Sequence, residues 1–382
     1  MAAGRLKVLG ITQEQHPARC RLFAQWHGID WPILWDPFNL TGSKAVPRFR
    51  LVDEHGVVRV PRARPSDLDA FLAASFEAPS DPPAAAPADA RLVARGLDTA
   101  SAEGRALEAL LYDGAGTCDA SIATLRGLPP AAAEAARTFR LGVAHRMRYD
   151  GPSSKPVDFA DALAHWTSAL LQRPDQYIWR RRIQQYGPRP DKPYPFYDWV
   201  ERARRDVAAR GEAPVILPVP LTETERNVWR KATEDETEPD PQDRVPSVDD
   251  APVVRIEEAV AWSTARGKPA ARVHLRVVLV DPERASFNAS EEVVGWIRTP
   301  RGAGWQAAPR RLAGAIAQGA RDDRAAVEPV PLEFELTPSE PAGTVDPYLL
   351  EGYLLLPICV AEDGRCLVVR QAFAVTIRQP DR

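Results

Sequence analysis

Residues 44–60, KAVPRFRLVDEHGVVRV, decide how the opening part of this 382-residue chain is read. VPRFRLVD and VVRV flank the turn residues Asp53 to Gly56, which is the pattern of a β-hairpin. Upstream, LKVLGIT is a short apolar strand and WPILWD a brief extended stretch. Between them, QEQHPARCRLFAQWHG places Cys20, Phe23 and Trp26 at helical spacing, with Gly28 as a stop. Downstream, SDLDAFLAASF reads as a helix capped by Ser66. The order is strand, helix, hairpin, helix.

Further along, EAPSDPPAAAPADA at 77–90 has the Pro- and Ala-rich, aperiodic composition of a linker. Residues 91–211 turn helical, in segments separated by Gly and Pro signals: SAEGRALEALLYDG, PAAAEAARTFRLGVAHRMRYDG, DFADALAHWTSALLQRP and PYPFYDWVERARRDVAARG. Residues 212–251 hold an acidic, Pro-rich stretch, ATEDETEPDPQDRVPSVDD, that reads as a solvated connector. From 252 to 382 strands return in alternating runs without long helices, among them ARVHLRVVLVD, VPLEFELTP and YLLEGYLLLPICV, so an antiparallel β-sandwich is expected. The fold class is multidomain α+β, as the length alone suggests.

Composition narrows the function classes. A net charge of −3 gives no electrostatic case for nucleic acid, and no window approaches the roughly 20 apolar residues of a membrane span. The basic and aromatic run YIWRRRIQQYGPRPDKPYPFYDW is read as a packed helix with Ile178, Trp179 and Ile183 inward and Arg stems over apolar surface. His16, His27, His55, His145, His165 and His274 show no zinc spacing, and no phosphate-cradling Gly motif occurs. No metal and no cofactor is implied.

With the hairpin and its preceding proline in view, residues 5–76 resemble the carboxyl-terminal half of the thioredoxin-like fold in its AhpC/TSA redoxin or TlpA-like branch. LKVLGIT, the helix, WPILWDP, AVP and LVDEHGVVR stand in that family's order. The resemblance implies a cis peptide before Pro47, and makes Val46 and Pro47 the remnant of a substrate-binding loop. It also implies a preceding strand and helix bearing the reactive cysteine, which residues 1–382 do not supply: no Cys-x-x-Cys occurs. That strand would lie between the second and third, and orphaned buried backbone groups cost about 1–3 kcal/mol each. The expectation is that Met1 is not the natural start or that another chain completes the sheet. Cys20 is read as a structural thiol and Cys118 as a loop thiol.

DFADALAHWTSALLQRP, with Ala162, Trp166, Ala169 and Pro174, resembles the second helix of a tetratricopeptide (TPR) unit, with FRLGVAHRMRYD as the first. One unit argues for helical-hairpin packing, with a peptide ligand as its implied partner.

LLLPICVAEDGRCLVVRQAF carries the chemistry that remains. If residues 361–364 form a four-residue loop, Cys359 opposes Cys366 directly and suits a disulfide. If Asp363-Gly364 form a two-residue turn, the two sit diagonally. A structural disulfide, a redox-active pair and free thiols all remain open. The hairpin in its sandwich resembles the amino-terminal periplasmic domain of the DsbD thiol:disulfide interchange proteins.

The first functional expectation is a bacterial redoxin-family thiol oxidoreductase, in disulfide or peroxide (antioxidant) metabolism, whose reactive-cysteine segment is not in this chain. Its partner would be a protein thiol or disulfide, in the cytoplasm or periplasm. The second is a non-catalytic interaction scaffold with a TPR-like peptide-binding domain. The third makes Cys359 and Cys366 themselves the working pair.

Overall fold

The computed structural model describes residues 6–80, 100–130, 134–192, 194–228, 253–264, 270–298, 304–316, 325–338, 348–362 and 364–378. Most of the expected linker and of the acidic connector lies outside the described residues. The chain is mixed α+β, and among the described residues no helix is long and apolar enough to cross a membrane. It packs as two compact units that do not follow chain order. The first takes Met1–Ser153, Ser168–Arg180 and Val200–Val219; the second takes Ser154–Thr167, Arg181–Trp199 and Pro220–Arg382.

The first unit opens with β1 (Gly10–Thr12), α1 (Pro17–His27) and β2 (Ile33–Trp35). α1 starts where Pro17 occupies its first turn and stops where Gly28 takes φ 61°, a left-handed cap whose N–H bonds back into the last turn. Its buried face is Ala18, Arg19 and Leu22, so Phe23 is left exposed and Cys20 only half-buried. β1 and β2 pair in parallel, Gly10 beside Ile33 and Thr12 beside Trp35. β3 (Phe49–Val52) and β4 (Val58–Ala63) form the expected antiparallel hairpin. In its turn the Asp53 carboxylate accepts the N–H groups of His55 and Val57, both at 2.9 Å, and Gly56 has φ 78°. Among the described residues no ladder joins the two sheets.

Ser66 does not cap the next helix. Pro65 starts a 3-10 turn one residue earlier, and the Asp67 carboxylate accepts the Arg64 N–H at 2.7 Å before α2 (Leu68–Ala73) continues. α3 (Ala102–Tyr112) is capped by Ser101, whose hydroxyl accepts the Gly104 N–H at 3.0 Å. α4 (Cys118–Gly127) and α5 (Glu134–Tyr149) follow, with Leu107, Leu110, Ile122, Leu125 and Phe139 buried. Cys118, expected in a loop, is the first residue of α4 and wholly buried. α6 (Asp158–Gln172) and α7 (Tyr177–Tyr186) contribute residues to both units. α8 (Val200–Ala209) packs on α1, where Trp26 Nε1 donates to Asp206 at 2.9 Å. The Arg210 guanidinium caps the end of α1 by donating to the carbonyls of Gln25 and Trp26.

The second unit contains β5 (Val254–Trp262), β6 (Ala271–Leu279), β7 (Ala285–Asn288), β8 (Glu292–Arg298), β9 (Trp305–Ala308), β10 (Arg311–Ala315), β11 (Ala325–Ala326), β12 (Val330–Pro338), β13 (Tyr348–Val360) and β14 (Cys366–Ile377). One sheet has the order β5-β6-β12-β9. In the other, β13 pairs along its length with β14 on one side and with β8 and β7 in tandem on the other, with β10 and β11 outermost. All these pairs are antiparallel. The sheets share one core: Val273, Leu275 and Val277 of β6 and Leu332 and Phe334 of β12 meet Leu350, Leu354, Leu356, Phe373 and Val375. Period-2 alternation buries these side chains on the inner faces.

Candidate functional site

Cys359 and Cys366 are bonded to each other. Their register is direct, Cys359 opposite Cys366, with residues 361–364 as the loop between them. The Val360 N–H donates to the Arg365 carbonyl at 2.9 Å, which makes that pair the hydrogen-bonded one. The cysteine pair next to it is therefore a non-hydrogen-bonded position, where side chains come closest. The Cα atoms are 3.9 Å apart. Cys359 is half-buried and Cys366 exposed.

Val46 and Pro47 lie in the first unit. The peptide between them is cis, and Val46 is exposed. The chain before them is braced by polar side chains. The Asp36 carboxylate accepts the N–H groups of Leu40 and Thr41, at 2.7 and 3.1 Å. Gln13 Nε2 donates to the Asn39 amide oxygen at 2.6 Å, and Lys44 pairs with Asp175. The Cys20 thiol is held back from ionising. Burial pushes its thiol up, outweighing a hydrogen bond with Thr12 that works the other way, and the nearby Glu14 charge adds to the rise. A thiol held protonated is a poor attacker.

Two buried charged clusters escaped the sequence reading. In the first unit, His16 Nε2 donates to the Asp150 carboxylate at 2.8 Å and Arg146 Nε donates to it at 2.9 Å. Burial opposes charge on Asp150, yet Arg146 and His16 hold its carboxyl well below the usual range. Burial, with Arg19 beside it, pushes His16 down. In the second unit, Glu333 accepts from His274 Nδ1 at 2.8 Å, from Arg272 at 3.2 Å and from the Thr224 N–H at 2.8 Å. His274 Nε2 lies 2.8 Å from the Tyr186 carbonyl oxygen. Against the cost of burial, His274 and Arg272 keep Glu333 ionised, its pKa well below the usual range.

Lys192 lies beside this cluster, its Nζ donating to the Gln185 carbonyl at 2.8 Å. Burial pushes its ammonium down to about 8, against the pull of Glu225 and Glu333. Arg276 Nε donates to Glu257 at 2.7 Å and its Nη2 to the Ser154 hydroxyl at 2.6 Å. Arg272, His274 and Arg276 are the outward residues of β6, and alternation assigns them to solvent. The signal that was available is their company: charges of both signs at matched register on three neighbouring strands, Glu257 opposite Arg276 and Glu333 opposite His274.

The aromatic and basic run resolves as packing. Ile178, Trp179 and Ile183 are buried, Arg182 lies over the Trp166 ring, and the Arg181 guanidinium sits 3.9 Å from the Tyr194 ring centre and 3.8 Å from that of Phe196.

No protein-family model matches this chain, and no curated protein is found to be related to it. Solved structures are similar over part of it. The X-ray structure of Northeast Structural Genomics Consortium target SoR45 covers 34% of this chain and 88% of its own, at 13% identity and a TM-score of 0.18.

Proposed function

We propose that this chain is a redoxin-type thiol–disulfide oxidoreductase whose working couple, among the described residues, is Cys359–Cys366. The observation that carries the reading is the cross-strand disulfide at the end of a hairpin, with Cys366 in the open. Three features of residues 6–76 support the redoxin-like part: β1 and β2 run parallel, β3 and β4 follow as a hairpin, and the Val46–Pro47 peptide is cis. Ile11 of β1 and Leu34 of β2 are exposed, as is Leu9 just before β1. Parallel strands are otherwise covered on both faces, as the family's central strand and helix would cover these.

The chemistry is thiol–disulfide exchange. A partner's thiolate attacks one sulfur, the Cys359–Cys366 bond breaks, and its electron pair leaves on the other cysteine as a thiolate that takes up a proton. The partner's second thiolate then attacks the mixed disulfide, so the partner ends oxidised and this chain holds two thiols. Thiol trapping across a glutathione series tests the reading. A midpoint between roughly −320 and −120 mV supports it; a bond unchanged over that range overturns it.

A non-catalytic scaffold is the second reading. It is favoured by the state of the other two cysteines: Cys20 is pushed away from its thiolate form and Cys118 is completely buried.

A further inference from the structure

Among the described residues the sandwich ends in five edge strands, and four of them carry the devices that keep a free edge from pairing with another chain. β9 is four residues long, β10 five and β11 two. β5 has nine residues but sets Arg255, Glu257 and Glu258 along its length. β14 has neither device. Its twelve residues, CLVVRQAFAVTI, include no proline, no glycine and one charged side chain, and they run beside β13 through twelve consecutive positions without a bulge.

The hairpin fixes which way this strand's backbone points. The Val360 N–H donates to the Arg365 carbonyl, so the odd-numbered residues of β14 bond to β13. Residues 366, 368, 370, 372, 374 and 376 turn their N–H and C=O groups the other way, along about 40 Å of edge. No ladder meets that side among the described residues, not even from β5, the edge of the facing sheet. The Ala372 carbonyl accepts the neighbouring Gln371 Nε2 at 3.1 Å, an exposed bond that an added strand would replace. Val368, Ala372, Ala374 and Thr376 are exposed, as is Leu367 at the start of the strand.

A second β14, related by a two-fold axis, matches this edge in two registers, with residue 371 or residue 372 on the axis. Charge decides between them. With 371 on the axis, Arg370 faces Ala372 of the second copy and the two Arg370 side chains become diagonal neighbours, about 7–8 Å apart. With 372 on the axis, Arg370 faces Ala374, and the two arginines lie four residues apart, about 14 Å along the strand, each over the Tyr353 ring of its own sheet. That register also sets Val368 beside Thr376 and, on the inner face, Leu367 beside Ile377 and Val369 beside Val375. Residues 368 to 376 then exchange about ten backbone hydrogen bonds, as many as a typical specific interface carries.

We propose that the free edge of β14 is the interface of a homodimer, in which β14 pairs antiparallel with β14 of a second copy, Ala372 facing Ala372, and the two β13 sheets become one continuous sheet. The proposal does not depend on the redox reading.

Sedimentation equilibrium of the whole protein from about 1 to 100 µM tests it. Wild type is expected to approach twice the 42.1 kDa of the chain. Ala372 is exposed and its N–H points away from β13, so Ala372→Pro removes no bond of the ladder. Ala372→Pro and Ala372→Lys are each expected to raise the dimer Kd at least about tenfold, with the circular dichroism unchanged. Mixing Ala372→Lys with Ala372→Glu is expected to restore the dimer, because the two side chains meet on the axis. A wild type that stays monomeric overturns the proposal, as do variants that dimerise like wild type; a mixture that stays monomeric overturns the register. Residue-resolved amide exchange of the wild type needs no variant: residues 368, 372 and 374 are expected to exchange slowly in the dimer and fast on dilution. Fast exchange at every concentration leaves the edge to a different protein, and slow exchange in a monomer shows that a segment of the same chain covers it; either result overturns the dimer.

Discussion

Glu333 shows how much one carboxylate can hold. It is buried with three partners, His274, Arg272 and the Thr224 backbone, and removing its charge leaves the buried Arg272 guanidinium facing a neutral side chain. Glu333→Gln is expected to cost about 3–5 kcal/mol, read from urea unfolding at pH 7. The pH dependence follows from the direction of the shift. Glu333 and Asp150 both have folded pKa values below their ordinary values of 4.5 and 3.8. The stability they contribute is fully present above those ordinary values and is lost as pH falls below them toward the folded ones. The urea midpoint should therefore decline below about pH 4.5, and less steeply in Glu333→Gln. Cys20 should react slowly with iodoacetamide at pH 8 in the native state, since burial pushes its thiol up; labelling at the rate of a free thiol would contradict that. None of this was legible residue by residue. Arg272, His274 and Glu333 are polar positions in alternating strands, and their burial depends on what covers them.

The hairpin of β13 and β14 is the element whose chemistry was most legible. Two cysteines seven residues apart across a polar turn allowed two registers, and the ladder selects the direct one. The two registers differ by two residues and leave the same side chains inward, so alternation does not choose between them; the twelve cross-strand pairs of the folded hairpin run in the direct register. Replacing both cysteines by serine is expected to lower stability by about 2 kcal/mol, the loop-closure contribution of so short a loop, and to leave the fold intact by circular dichroism. Gly352 is a second pressure point. A Cβ there would lie 2.7 Å from the Trp296 carbonyl oxygen and 2.7 Å from Phe373 Cε1, because the Phe373 ring occupies the space above the glycine. Gly352→Val should cost about 1–3 kcal/mol in denaturant unfolding by overpacking. In α1 the stop at Gly28 was readable from the sequence. Its buried face was not, because Arg19 is 1% exposed while Phe23 of the expected apolar stripe is 40% exposed.

At the scale of the whole molecule, the second unit joins parts of the chain far apart in sequence. His274 reaches Tyr186 across 88 residues, Glu333 reaches Thr224 across 109 and Arg276 reaches Ser154 across 122. A fragment of residues 252–382 has the strands but not those partners. It is expected to unfold at lower urea than the same strands in the full chain, with faster amide exchange in β6 and β12; equal protection would show that the cover contributes nothing. Local pattern carried the strands, from alternation, the end of α1 at Gly28, and a cysteine hairpin able to close on itself. The register of the cysteines and the burial of the charged outer face of β6 and β12 emerge only in the folded chain. The difference is one of range. Periodicity reports that one face of a strand is apolar, whereas the fate of the other face is set by segments a hundred residues away, whose carbonyl, amide and hydroxyl groups satisfy its charges once the chain has folded.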